Sequence, residues 1–127
     1  MFKLKWIFVL VFLFIAVQPT FADDRAEKIK DVLLKPSGWS AYGNDCTSAR
    51  LSWEAEFMYE ARGEKTIVKI IRPGRSGCER EVTITSDGIK HDGCGDSNIK
   101  LSLDPNDNDY PFKGWSAHCS EWKLKAK

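Results

Sequence analysis

The run LSWEAEFMY, from Leu51 to Tyr59, alternates apolar and polar residues without interruption, and this limits the fold more than any other feature of the chain. A period of two is that of a β-strand with one buried face, whereas a helix needs apolar residues three and four positions apart. The face predicted to be buried consists of Leu51, Trp53, Ala55, Phe57 and Tyr59.

The run TIVKIIR follows and predicts a second strand that returns beside the first. We place Arg62-Gly63 at the centre of a two-residue hairpin turn. This choice sets the register, and two opposite-charge pairs and one apolar pair then stabilise the hairpin. The predicted pairs are Glu60 with Lys65, Glu56 with Lys69, and Phe57 with Val68.

Shorter alternating runs continue to the C terminus. REVTITS and IKHDGC are joined by a predicted Asp87-Gly88 turn, and NIKLSL, GWSAHC and WKLKA come after them. The parity of the apolar residues changes between Cys119 and Trp122, which predicts a bend near Ser120. With an early strand near Trp39, about seven or eight antiparallel strands form one disulfide-stabilised domain over residues 23–127.

These strands predict a small, mainly β, up-and-down barrel, with a β-sandwich as the alternative. Closure into a barrel removes the sheet edges that would otherwise pair with other chains. The segment DDRAEKIKDVLLKP adds a short N-terminal helix, which Asp24 caps, Glu27 supports in a capping box and Pro36 ends. Its apolar stripe is formed by Ile29, Val32 and Leu33.

Residues 1–22 have the pattern of a secretory signal peptide. Lys3 and Lys5 precede an apolar core, and Thr20-Phe21-Ala22 precedes the expected cleavage point. We therefore expect a secreted or periplasmic protein that begins at Asp23 and has no membrane anchor. Without Lys3 and Lys5, the 19 basic residues fall to 17 against 18 acidic ones, so nucleic acid is not an expected partner.

The four cysteines form an even set in an exported chain, which predicts two disulfides. Three pairings are open. Cys78 and Cys94 flank a predicted hairpin, so we favour this local bond and pair Cys46 with Cys119. His91 and His118 lie near two of the cysteines and suggest a zinc site as the alternative, but the Cys-x-x-Cys spacing of structural zinc sites is missing. No metal and no cofactor are expected.

The acidic run DPNDND, Asp104 to Asp109, is compatible with a calcium loop or with a turn. An EF-hand loop requires glycine at its sixth position and glutamate at its twelfth, and these positions hold Asp109 and Trp115. Aspartate, asparagine and proline are also the residues that build turns. We predict a hydrated turn between two strands.

Trp115 is the best candidate for an exposed aromatic that contacts a ligand. It follows Lys113-Gly114 close to the polar loop, whereas Trp53 alternates with Phe57 and is expected in the core. The predicted binding residues are Trp115, Asp107, Asp109 and Tyr110.

No catalytic residues are predicted. Glu54 and Glu56 lie on one strand face about 7 Å apart, as paired carboxylates do in glycosidases, but Lys69 opposite Glu56 indicates a solvated ion pair. A cysteine nucleophile for His91 or His118 would need a thiol that the disulfides consume.

A short helix followed by Gly38-Trp39 and a meander of strands resembles the small calycin-type barrels, namely lipocalins, avidins and bacterial metalloprotease inhibitors. The resemblance covers the layout of the mature chain. Lipocalins open with Gly-x-Trp, whereas the two residues are adjacent here, so no family binding residue is carried over. The resemblance implies a barrel built for binding or inhibition.

Together these features favour an exported binding protein of the inhibitor type that acts on an extracytoplasmic hydrolase. One alternative is a barrel that binds a small ligand or a saccharide, at its mouth or on Trp115. A structural exported protein is the other alternative.

Overall fold

The computed structural model describes residues 21–47 and 52–127. Each strand in these ranges pairs antiparallel with the next, and the last strand pairs with the first, so the sheet is a closed barrel. The predicted up-and-down barrel is confirmed. Its elements are α1 Phe21–Leu34, β1 Trp39–Cys46, β2 Ser52–Arg62, β3 Lys65–Ile71, β4 Cys78–Thr85, β5 Gly88–His91, β6 Ile99–Leu103, β7 Phe112–Trp115 and β8 Cys119–Ala126.

Large aromatic side chains fill the interior of the barrel. The rings of Trp39 and Phe112 meet edge to face with their centroids 5.4 Å apart, and Phe57 packs on Trp122 at 5.6 Å. Tyr59 is buried with them, as the alternation of β2 predicts. The core of this barrel is therefore occupied by its own side chains.

The register of the β2–β3 hairpin differs from the prediction. Its turn is Gly63-Glu64, and Arg62 lies opposite Lys65. Gly63 has φ +66° at the first central position, which is the arrangement of a type II′ turn and suits the twist of the strands. Glycine provides the positive φ that the first central position requires. Gly63 therefore takes this position instead of the predicted second one, and the turn lies one residue later.

The predicted charge pairs of this hairpin are wrong as a consequence. Glu60 faces Ile67, Glu56 faces Ile71 and Phe57 faces Ile70. A shift of two residues leaves every side chain on its predicted face, so the buried face is predicted correctly while the partners are not.

The β4–β5 turn also differs by one residue, since Thr85 pairs with Gly88 and the turn is Ser86-Asp87. A Cβ atom on Gly88 would overlap the carbonyl oxygen of Leu101 on β6. Glycine is therefore required here by the close approach of the neighbouring strand.

The irregularity expected near Ser120 of β8 is found in β1, the strand that pairs with β8, at Asp45. Asn44 pairs with Glu121 and Cys46 with Cys119 in one register, while Asp45 between them has φ +51°. Both cysteines are buried, out of phase with the other inward residues of their strands.

Both predicted disulfides are present. Cys46–Cys119 joins β1 to β8 where the barrel closes, and Cys78–Cys94 joins the start of β4 to the loop after β5. Two disulfides are consistent with an oxidising compartment. No free cysteine is found in the described ranges.

Helix α1 lies across one end of the barrel and buries Ile29 and Leu33 in the core. The indole Nε1 of Trp39 donates to the Leu33 carbonyl at 3.0 Å and so holds the C-terminal end of the helix. The predicted Asp24 cap is wrong, because the helix begins at Phe21 and Asp24 lies inside it. The predicted signal peptide, residues 1–22, falls almost entirely outside the described residues.

Among the helices of the described ranges, none is both long enough and apolar enough to cross a membrane.

Tyr59 and His91 form a buried polar pair inside the barrel, with the Tyr59 hydroxyl 2.8 Å from His91 Nε2. His91 Nδ1 lies 2.9 Å from the Asp92 carbonyl oxygen, which can only accept, so Nδ1 carries the proton and Nε2 accepts from Tyr59. Burial lowers the pKa of His91 from 6.5 to about 4 and raises the pKa of Tyr59. Both groups are therefore neutral at pH 7.

We predict that His91 makes the barrel sensitive to acid. Between pH 6.5 and about 4 the unfolded chain binds a proton that the folded chain excludes, so the free energy of unfolding falls as the pH drops through this window. The loss reaches about 3 kcal/mol near pH 4. Urea unfolding at several pH values should show that His91→Gln loses this pH dependence and that Tyr59→Phe keeps it. If the free energy of unfolding of His91→Gln depends on pH as that of the unmodified protein does, His91 is not the cause of the acid sensitivity.

We also predict that the two disulfides differ in their contribution to stability. They close segments with sequence separations of 73 and 16 residues. From chain entropy, replacing both cysteines by alanine should cost about 4 kcal/mol for Cys46–Cys119 and about 3 kcal/mol for Cys78–Cys94. Guanidinium unfolding of the two double variants measures the difference, and equal losses would show that chain entropy does not govern it.

Candidate functional site

The end of the barrel opposite α1, called the open end below, carries the connections β1–β2, β3–β4, β5–β6 and β7–β8. Three of these are described throughout, namely residues 72–77, 92–98 and 116–118. Both disulfides lie at this end, because Cys46 and Cys119 flank its connections and Cys94 belongs to the loop 92–98.

Arg72 fastens two of these loops to each other. Its guanidinium donates to the Ser76 carbonyl at 2.7 and 3.1 Å, within its own loop, and to the Cys94 carbonyl at 3.0 Å in the neighbouring loop. Together with the Cys78–Cys94 bond, these contacts hold residues 72–77 against residues 92–98.

Asp96 fastens the loop 92–98 to the loop 116–118. Its side chain is buried and accepts hydrogen bonds from the Ser116 hydroxyl, from the His118 amide at 3.1 Å and from the Ser97 amide at 2.8 Å. Ser116 Oγ in turn accepts from the Trp122 indole at 2.9 Å. Every buried side-chain polar atom of the described residues has a partner, so this network is complete.

A pocket opens between these loops. Its volume is about 100 Å³ and its floor is apolar. Small-molecule sites usually enclose about 300–1,000 Å³, so this pocket suits one apolar group rather than a whole ligand. The floor and wall include Trp53, Phe57, Ile70, Ile99 and Trp122.

The rim of the pocket is charged. It includes Glu54, Arg72 and Arg75. The Arg72 guanidinium is engaged by backbone carbonyls, whereas Arg75 is exposed and has no ion-pair partner in the described part of the chain. Arg75 is therefore the rim cation that is available to an incoming carboxylate.

The predicted binding residues do not form one site. Trp115 is 56% exposed and stands on the outer wall at the end of β7, while Asp107, Asp109 and Tyr110 lie in the β6–β7 loop at the end that α1 covers. The Tyr110 ring packs against Tyr42 and beneath the Lys123 ammonium, which is 4.7 Å from the ring centroid.

The run Asp104–Asp109 is part of the β6–β7 loop, and its carboxylates are used by the turn itself. Asp104 Oδ1 accepts from the Asn106 amide at 3.0 Å, and Asp107 Oδ1 accepts from the Asp109 and Tyr110 amides at 3.1 and 2.9 Å. Asp107 Oδ2 pairs with Lys113 Nζ at 2.5 Å. This ion pair and the hydrogen bonds from the backbone amides lower the pKa of Asp107. In residues 21–47 and 52–127, no three His, Cys, Asp or Glu side chains are grouped as metal ligands.

The carboxylates of Glu54 and Glu56 have different surroundings. Glu54 stands on the rim of the pocket, while Glu56 pairs with Lys127 Nζ at 2.7 Å. They therefore do not face each other across a cleft as the acid and base of a glycosidase do.

Sequence reasoning missed Arg72, Arg75 and Asp96. Arg72 and Arg75 flank the Pro73-Gly74 turn, and Asp96 follows Cys94 in a polar loop, so each has the local pattern of an ordinary surface residue. Their roles depend on loops that only the closed barrel brings together.

Comparisons of the chain with models of protein families, with curated proteins and with solved structures found no match. The resemblance to calycin-type barrels, drawn from the layout of the sequence, stays a prediction. Since one fold serves many functions, the argument for function has to come from the site.

We predict that Asp107 acts through the turn and not through calcium. Asp107→Asn keeps an oxygen that accepts from the two amides, whereas Asp107→Ala removes it, so the alanine variant should melt at a lower temperature than the asparagine variant. Millimolar calcium and a chelator should give the same melting temperature for the unmodified protein. A rise with calcium that disappears in Asp107→Asn would show instead that the loop binds the ion.

Proposed function

We propose that this protein is an exported binding protein of the inhibitor type, which docks its open end onto an extracytoplasmic hydrolase. The observation that carries the proposal is the fastening of the three described open-end loops by disulfides, the Arg72 contacts and the Asp96 network. Loops that are already ordered lose little conformational entropy when a partner binds, so more of the contact energy becomes affinity.

The filled interior argues against a carrier of small ligands. Trp39, Phe57, Phe112 and Trp122 occupy the space that a hollow barrel would offer, and the pocket at the open end holds about 100 Å³. A pocket of this size fits one apolar side chain of a partner protein. Such an anchor in a dry pocket is the usual centre of binding energy in an interface.

The rim of the pocket indicates the chemistry of that partner. Arg75 and Glu54 both line the pocket, and Arg75 forms no ion pair within the described residues. Glycosidases and aspartic proteases place pairs of carboxylates in their clefts. A hydrolase of this kind would offer an acidic group to Arg75 and an apolar group to the pocket.

The test is capture of the partner with matched variants. The mature chain is immobilised and exposed to the extracytoplasmic fraction of its own source, in parallel with Trp53→Ala, Arg75→Glu and the control Lys65→Glu. Lys65 is exposed on β3, away from the open end, and its substitution changes the net charge as Arg75→Glu does.

The expected result is one hydrolase that is retained by the unmodified chain and by Lys65→Glu and that is inhibited by the purified protein. Trp53→Ala and Arg75→Glu should bind it about thirtyfold more weakly, as hot-spot residues do. Equal retention by all four chains, or retention without inhibition, would contradict the proposal.

A further inference from the structure

A row of exposed side chains crosses the outer surface of four strands. Thr83 of β4 pairs with Lys90 of β5, Lys90 with Lys100 of β6, and Lys100 with Trp115 of β7. Neighbouring strands lie about 4.8 Å apart, so the four side chains stand side by side. We call these residues the lysine–tryptophan row.

A shallow groove of about 290 Å³ runs along this row. Its shape follows from small side chains on the adjacent positions, since Gly88 has none and Thr85 and Ser102 are short. The floor therefore presents hydroxyl groups, and Trp115 and the two lysines border it. The groove thus combines a flat aromatic face, hydroxyls and ammonium groups.

The two lysines of the row differ from the basic side chains of β2–β4 in their ion pairing within the described residues. On β2–β4, Arg62 and Lys69 are held by Glu60 and Glu79. Lys90 and Lys100 take part in no ion pair within the described residues. Among the residues lining the groove, Asp87 is the acidic one.

We propose that the groove beside the lysine–tryptophan row binds an acidic saccharide chain, with carboxylate or sulfate groups on its rings. Trp115 stacks against one sugar ring, Lys90 and Lys100 pair with the acidic groups, and Thr83, Thr85 and Ser102 exchange hydrogen bonds with sugar hydroxyls. The site lies on the outer wall, where the row borders the open-end loops 92–98 and 116–118, and its groove shares no lining residue with the pocket of the proposed inhibitor function.

The shape of the groove favours a saccharide over two other anionic partners. Membrane-binding surfaces insert protruding apolar side chains, whereas this surface is concave and lined with hydroxyls. Nucleic-acid binding depends on many phosphate contacts, and two lysines supply few.

The experiment measures binding of the mature chain to an oligouronate and to a sulfated oligosaccharide of the same length by isothermal titration calorimetry. A neutral oligoglucoside, a single-stranded oligonucleotide and vesicles rich in phosphatidylglycerol are titrated separately for comparison. The variants are Trp115→Ala, the double variant Lys90→Gln/Lys100→Gln, and Asp87→Asn. The matched control is Lys65→Gln/Lys69→Gln, which removes the same charge from β3.

At least one acidic saccharide should bind, and the neutral one should not. Binding should be about tenfold weaker in Trp115→Ala and in Lys90→Gln/Lys100→Gln, stronger in Asp87→Asn and unchanged in the control. It should also weaken between 0.1 and 1 M salt, where the screening length falls from about 10 to about 3 Å. Trp115→Tyr, which keeps an aromatic ring, should retain most of the affinity.

Three results would overturn the proposal: no binding of either acidic saccharide, an equal loss in the Lys65→Gln/Lys69→Gln control, or tighter binding of the oligonucleotide or the vesicles with the same variant pattern. Circular dichroism verifies that each variant is folded. Trp53→Ala and Arg75→Glu should leave saccharide binding unchanged, so failure of this site and failure of the proposed inhibitor function are separate outcomes.

Discussion

The pairing of β8 with β1 is the interaction on which the rest of the structure depends. It runs from Trp39 opposite Ala126 to Cys46 opposite Cys119, and the disulfide at its end makes the closure covalent. Closure pairs the backbone groups that a sheet of this length would otherwise expose at two edges. It also directs one side of every strand into a common interior, and the aromatic side chains of β1, β2, β7 and β8 meet there because of it.

Closure separates the connections into two ends with different physical properties. One end is covered by α1, whose last turn is held by Trp39. The β6–β7 loop lies at the same end and is stabilised by hydrogen bonds from backbone amides to the Asp107 carboxylate. Among the described residues, no helix covers the open end. Its loops 72–77, 92–98 and 116–118 are held instead by a disulfide, by the Arg72 guanidinium and by the buried Asp96 carboxylate. Rigidity at an uncovered end is useful for recognition, because the entropy of ordering the loops is lost during folding and not during binding.

The outer surface is divided in a similar way. On β2–β4 acidic and basic side chains alternate across the strands, and Arg62 lowers the pKa of Glu79 and has its own pKa raised. On β5–β7 Lys90, Lys100 and Trp115 are adjacent, and the two lysines form no ion pair among the described residues. A net charge near zero conceals this difference, since it averages a neutralised side and a cationic side.

The sequence by itself determined the architecture. The alternation in β2, the short runs after it and the even set of cysteines predicted a barrel, with a sandwich as the alternative, and favoured the disulfide pairing that is present, because side-chain period and local spacing are properties of the chain. Strand register was not determined, since type II′ geometry at Gly63 moves the turn by one residue and exchanges every partner while leaving each face unchanged. The pocket, the Asp96 network and the lysine–tryptophan row were decided only by the tertiary structure. Each unites residues from three or more strands or loops, and such contacts depend on how the barrel closes and not on any pattern along the chain.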